Sequence, residues 1–169
     1  MYPKTKKEIQ AAKEACEKML TKQAFASAAA SLSPIIGPDI AADMALLLDL
    51  LPRINRRFGF APEQIDSLDE KTIVVIYQLI KATGKAIVGK YVTKELIIIL
   101  LKRIGVRVTA KQVTKFVPFI GPAISSVISF AGMKYMGKTH IRECVALATD
   151  LLQSESGKAS LPERLKEKG

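Results

Sequence analysis

The sequence has no tryptophan, a single histidine, two cysteines and 6% aromatic residues in a chain of 169. Each shortage closes off a class of protein. Cys16 and Cys144 stand far apart with no Cys-x-x-Cys, so no disulfide framework or zinc ligand set is spelled out, and free thiols fit a reducing compartment. One histidine leaves acid–base and nucleophilic chemistry little to build from. Scarce aromatics among abundant Ala, Ile and Leu favour helices over a β-sandwich. No run reaches the ~20 clean apolar residues of a membrane-spanning helix. Phe116–Met133, 18 residues without a charge, comes nearest, but Pro118, Gly121, Pro122 and three serines interrupt it. The basic start, Met-Tyr-Pro-Lys-Thr-Lys-Lys, leads into a charged helical pattern rather than an apolar h-region, so it does not read as a signal peptide.

Hydrophobic residues make up 49% of the chain, enough for one sizeable core. Two five-residue marks, Pro34-Ile-Ile-Gly-Pro38 and Pro118-Phe-Ile-Gly-Pro122, punctuate it. Proline ends a helix or opens the next one, because it lacks an N–H and excludes the residue before it from the α region. Each mark therefore reads as a buried helix–corner–helix turn, with Pro34, Gly37, Pro38, Pro118, Gly121 and Pro122 as its structural residues.

A first helix is expected from Lys4 to about Ser33, with Ile9, Cys16, Met19, Leu20 and Phe25 as its apolar face and a buried, alanine-rich second half. A second should run from Asp39 through Leu51, kink or restart at Pro52, and close at Gly59. A short turn begins at Pro62. Thr72–Ile80 is β-branched enough for a buried strand, but its helical surroundings favour a helix. A short helix starts near Thr93 and covers Leu96–Leu101. Thr109-Ala-Lys-Gln112 matches a capping box. A long helix should run from Ala123 to about Gln153, with Gly132 and Gly137 inside it where another helix packs close. The expected fold is all-α: a single-domain bundle of six to eight helices over residues 1–153, followed by a polar, frayed tail over 154–169.

The net charge of +10 is unevenly spread. Residues 1–80 balance ten basic against ten acidic residues, whereas residues 81–115 carry nine basic residues and one acid, Glu95. Lys81, Lys85, Lys90 and Lys94 are spaced to line a helix flank beside Ile87, Val88, Ile97 and Ile98, and Lys102, Arg103, Arg107 and Lys111 follow. Such a segment suits an anionic membrane surface. It suits nucleic acid less well, having only Tyr91 as an interleaved aromatic and no groove-reading motif.

Three candidate chemistries fail on their residues. Gly84-Lys-Ala-Ile-Val-Gly-Lys90 matches most of a phosphate-binding loop, but Tyr91 stands where Ser or Thr should ligand magnesium. His140 and Cys144 share a helix face as two metal ligands would, yet no second pair completes a site. Asp39 and Asp43 also share a face, where dipole complementarity explains them. No cofactor is implied, and the chain reads as a non-enzyme.

Ser31-Leu-Ser-Pro-Ile-Ile-Gly-Pro-Asp-Ile-Ala-Ala-Asp-Met-Ala-Leu-Leu48, then Arg57-Phe-Gly-Phe60 and Ile65-Asp-Ser-Leu68, resembles the helical region after the GTPase domain of immunity-related (interferon-inducible) GTPases. Phe116–Phe130 is similar to a later helix of that family, and a similar pair of Pro-Gly corners occurs in the helical domain of bacterial Era-like GTPases. The resemblance spans roughly residues 20–152. It implies a helical module that associates with membranes, with itself or with a GTPase domain on another chain. The GTPase domain is not in this sequence, and Gly84–Lys90 lies in the wrong place to be its phosphate loop, so hydrolysis does not carry over. The reading is a cytoplasmic helical module, peripheral on membranes, docking on an anionic membrane or a GTPase partner. A protein–protein adaptor with an exposed apolar helix face is one alternative, and a basic nucleic-acid-binding domain is another.

Overall fold

A computed structural model describes residues 1–31, 40–83, 87–93, 95–97, 99 and 122–157. They form five helices: α1 (Lys6–Ser31), α2 (Ile40–Arg57), α3 (Pro62–Ile65), α4 (Glu70–Thr83) and α5 (Pro122–Glu155). Residues 95–97 are also helical, and no strand occurs among the described residues. The all-α expectation therefore holds for them, and Thr72–Ile80 lies within a helix. Of the marks, Pro122 opens α5, as its missing N–H favours. Pro34, Gly37, Pro38, Pro118 and Gly121 lie outside the described residues, as do the Thr109–Gln112 box and residues 158–169 of the tail.

The chain divides into two compact units, Met1–Glu17 with Pro52–Tyr91 and Thr139–Gly169, and Lys18–Leu51 with Val92–Lys138. The first unit is built on helical spacing. Ile76, Leu79 and Ile80 of α4 and Cys144, Leu147, Ala148 and Leu151 of α5 recur every three or four residues and are all buried. Each fully buried Leu or Ile contributes about 1.5–3 kcal/mol relative to exposure. Phe58 and Phe60, both inaccessible to solvent, stack with centroids 6.4 Å apart.

Local chemistry fixes the ends of these helices. The Thr5 hydroxyl accepts the Glu8 N–H at 3.1 Å, and the Glu8 carboxylate accepts the Lys4 N–H at 2.7 Å, so α1 starts at Lys6. Asp69 accepts the Thr72 N–H at 3.0 Å and caps α4; hydrogen bonding to the Thr72 side chain first, and to its N–H second, holds the Asp69 carboxyl below the ordinary value. At the end of α2, Gly59 N–H bonds to the Arg56 carbonyl and Phe60 N–H to the Asn55 carbonyl, the paired bonds of a Schellman cap with Gly59 at φ +73°.

Gly59 is required twice over. A Cβ there would lie 2.6 Å from both the N and Cα of Tyr2, so the bare glycine is the seat of the N-terminal segment. Tyr2 is buried in that seat, its hydroxyl donates to Glu155, and Lys4 donates to Glu155 at 2.8 Å while lying 3.7 Å over the Tyr2 ring.

In the second unit, Leu20 and Ala24 of α1, Leu47, Leu50 and Leu51 of α2, Ile97, and Met133 and Met136 of α5 are buried. The expected close approach at Gly137 is present: a Cβ there would fall 2.2 Å from Leu20 Cδ1. Lys134 Nζ donates to Thr21 Oγ1 at 2.7 Å beside it. Among the described residues nothing lies within 4 Å of such a Cβ at Gly132, so of the two glycines Gly137 is the one that marks a helix contact there.

Three expectations are corrected. Of the kink or restart expected at Pro52, the restart does not occur: α2 runs to Arg57 with Leu47, Leu50, Leu51 and Ile54 buried on either side of the proline. Burial of four large side chains outweighs the ~3 kcal/mol of an interior proline. Phe25 is 62% exposed and Ala26 and Ala29 are also exposed, so the end of α1 is not a buried half. Ala24, four residues after Leu20, takes the inward position, and Phe25 stands about 100° further round. Finally, Lys81 and Lys90 do not share a helix flank, because α4 ends at Thr83 and residues 87–90 form a turn closed by the Lys90 N–H to Ile87 carbonyl bond.

Candidate functional site

Two features of the first unit have the makings of a site: a buried polar cluster and an exposed, mixed face of α4. The cluster begins with Asn55, which α2 presents in its last two turns among arginines that suggest a solvated face. It is 1% exposed. Its Nδ2 donates to the Ile87 carbonyl at 3.3 Å, and its Oδ1 lies 2.9 Å from His140 Nε2. The Ile87 carbonyl thus accepts from both the Lys90 N–H and Asn55, one bond for each lone pair. Gly89, at φ +72°, supplies the positive φ that this turn needs at its third position. The side chain of Asn55 therefore ties α2 to the 87–90 turn and, through His140, to α5.

His140 and Cys144 lie on one face of α5, as their spacing predicts, and both are buried. Cys144 Sγ is 3.8 Å from Asn55 Oδ1 and 3.9 Å from His140 Nε2. A Cys, a His and an Asn together invite comparison with a thiol-protease triad, but the geometry is wrong for one. A triad needs the thiol and the orienting amide on opposite ring nitrogens, whereas here both face Nε2. Solvent does not reach the group either. The other nitrogen, Nδ1, points toward Glu143 Oε2 at 3.6 Å, and among the described residues neither atom has a hydrogen-bond partner. No group of three or more His, Cys, Asp or Glu is placed to hold a metal ion among the described residues.

Cys16 is also buried, and desolvation pushes its thiol up to about 11, so it is an inert core residue rather than a nucleophile.

The second feature is the outer face of α4. Glu70, Lys71, Val74, Tyr77, Gln78 and Lys81 are all exposed, and at about 100° per residue they fall within one third of the helix circumference. Val74 and Tyr77 are exposed by 52% and 44%, large values for apolar side chains in mid-helix. Lys90 and Tyr91, which follow the turn packed against Ile80 through Gly89, are exposed as well.

Of the basic residues expected to bind an anionic partner, Lys81 and Lys90 are exposed, and Lys85, Lys94, Lys102, Arg103, Arg107 and Lys111 lie outside the described residues. Of the apolar residues set beside them in the sequence, Ile87, Val88 and Ile97 are buried and so offer no insertion surface, and Ile98 lies outside the described residues. Sequence reasoning missed Asn55, for which no local signal exists, and the Thr5–Glu8 and Asp69–Thr72 caps, for which the Thr-x-x-Glu and Asp-x-x-Thr spacings were available.

Among the described residues no helix is long and apolar enough to cross a membrane. No protein-family model matches the chain, and no curated protein or solved structure matches it either.

Proposed function

We propose that the chain is a non-catalytic helical module that docks peripherally on an anionic membrane surface. The observation that carries this reading is the outer face of α4, where exposed Val74 and Tyr77 lie between Lys71 and Lys81. An aliphatic and an amphipathic aromatic side chain flanked by lysines is the composition of a helix that rests at the headgroup level. The nine basic residues against one acid over 81–115 add long-range attraction to the same kind of surface. The resemblance to the helical region of immunity-related GTPases points the same way. The cluster around Asn55, with its ring nitrogen doubly engaged on one side and closed to solvent, serves architecture in this reading.

The same face supports a second reading, in which Val74 and Tyr77 receive a helix of a protein partner, such as a GTPase domain on another chain. Vesicle co-sedimentation of the whole chain separates the two. Lys81→Glu should weaken binding to phosphatidylserine-containing vesicles about five-fold or more, from ~1 kcal/mol per basic residue at the surface. Tyr77→Ser should weaken it independently. Unchanged binding in both variants would remove the α4 face from the membrane reading.

A further inference from the structure

We propose that His140 holds a proton on each ring nitrogen, forming with Glu143 a buried imidazolium–carboxylate pair that locks α5 to α2 and to the 87–90 turn. The assignment follows from counting donors and acceptors. Asn55 donates through Nδ2 to the Ile87 carbonyl at 3.3 Å, so the atom it turns to His140 is its oxygen. Flipping the amide would set Oδ1 against the Ile87 carbonyl, acceptor on acceptor, and break that bond. A carbonyl oxygen only accepts, so the proton of the 2.9 Å contact is on Nε2.

With Nε2 protonated, a neutral ring would leave Nδ1 as a bare lone pair. It would then face Glu143 Oε2 at 3.6 Å, a second acceptor, with both atoms closed to solvent and without a partner among the described residues. Two buried acceptors left unpaired each forfeit the hydrogen bond that water would have given them. One proton on Nδ1 removes both deficits at once, with the Glu143 side chain moving a few tenths of an ångström inward. That side chain is 28% exposed, so it has room to do so. The titratable groups placed against the ring are Glu143 and Cys144, both from α5. From α2 comes the neutral Asn55, and from the turn a carbonyl that acts through it.

The pair braces the ring from its Nδ1 side while Nε2 holds Asn55. Asn55 in turn fixes the turn that presents Lys90 and Tyr91.

The chain has a single histidine, so its ring signals need no assignment. A long-range ¹H–¹⁵N spectrum of the full, folded chain in neutral buffer should show two protonated ring nitrogens. In Glu143→Gln, whose amide can donate to Nδ1, it should show a neutral ring with the proton on Nε2. A bare Nδ1 in the wild-type chain, as a water donating to both acceptors would leave, overturns the proposal. So does an unchanged spectrum in Glu143→Gln.

Discussion

Gly59→Ala is the sharpest perturbation of the fold, because its cost separates into two parts with different origins. The first is backbone strain. At φ +73°, an alanine costs about 1–2 kcal/mol. The second is steric. The new methyl would lie 2.6 Å from Tyr2 N and Cα and 2.8 Å from the Met1 carbonyl carbon, all backbone atoms that no rotamer change can move aside. Overpacking of this kind costs about 1–3 kcal/mol. Its upper limit is the alternative open to the molecule, ejecting Met1–Lys4 and losing the burial of the Tyr2 ring, about 1.5–3 kcal/mol for a side chain of that size. Gly157 supplies the control. It has φ +65°, but a Cβ there meets nothing within 4 Å among the described residues, so Gly157→Ala carries the strain alone. Urea unfolding followed by circular dichroism should therefore place Gly59→Ala below Gly157→Ala by about 1–3 kcal/mol. Deleting residues 1–4 removes the atoms that clash, and in that background Gly59→Ala should cost only its strain term. Equal losses at the two glycines, or an undiminished gap after the deletion, would refute the account of the N-terminal seat.

Further predictions follow from the same contacts. Gly132→Ala should raise the thermal midpoint, since it gains up to ~1 kcal/mol of helix propensity with no neighbour to disturb, whereas Gly137→Ala should lower it by driving Leu20 from its buried position. The reverse order would contradict the close contact of α1 and α5 there. Hydrogen bonds from Lys4 and Tyr2 hold the Glu155 carboxyl below its ordinary value against the opposing effect of burial. A lowered folded value means that the stability from Glu155 is present above the unfolded glutamate range and is lost as pH falls through the folded one. Glu155→Gln should flatten that acid limb of a stability–pH curve. Cys16 and Cys144 are both inaccessible to solvent, so an aromatic disulfide reagent at mildly alkaline pH should label neither until denaturant is added. Rapid labelling of the folded chain would contradict their place in the core.

Much of the fold was legible because its signals are local. Pro122 and Gly59 mark a helix start and stop by backbone chemistry alone, and the 76, 79, 80 spacing turns a β-branched run into a helix once its neighbours are helical. Gly137 within α5 foretold a close helix. The candidate site was less legible, for a physical reason. Asn55 becomes a buried hub only through Ile87, 32 residues away, and His140, 85 residues away, and nothing beside it in the sequence distinguishes it from a surface residue between Arg53 and Arg56. Lys81 and Lys90 do not share a flank because spacing presumes an unbroken helix, whereas α4 ends at Thr83 and Lys90 sits in a turn. Phe25 failed because hydrophobicity was read as burial, whereas a helix one residue out of phase presents a phenylalanine to solvent.

The central claim is that a helical module meets an anionic lipid surface through charge and the α4 face. Flotation of the full chain with vesicles of phosphatidylcholine alone, and with added phosphatidylserine, tests it most directly. The account predicts capture by the anionic vesicles, little by the neutral ones, and release as salt shortens the Debye length from about 10 Å at 0.1 M to about 3 Å at 1 M. Equal, negligible binding to both vesicle types at low salt would contradict it.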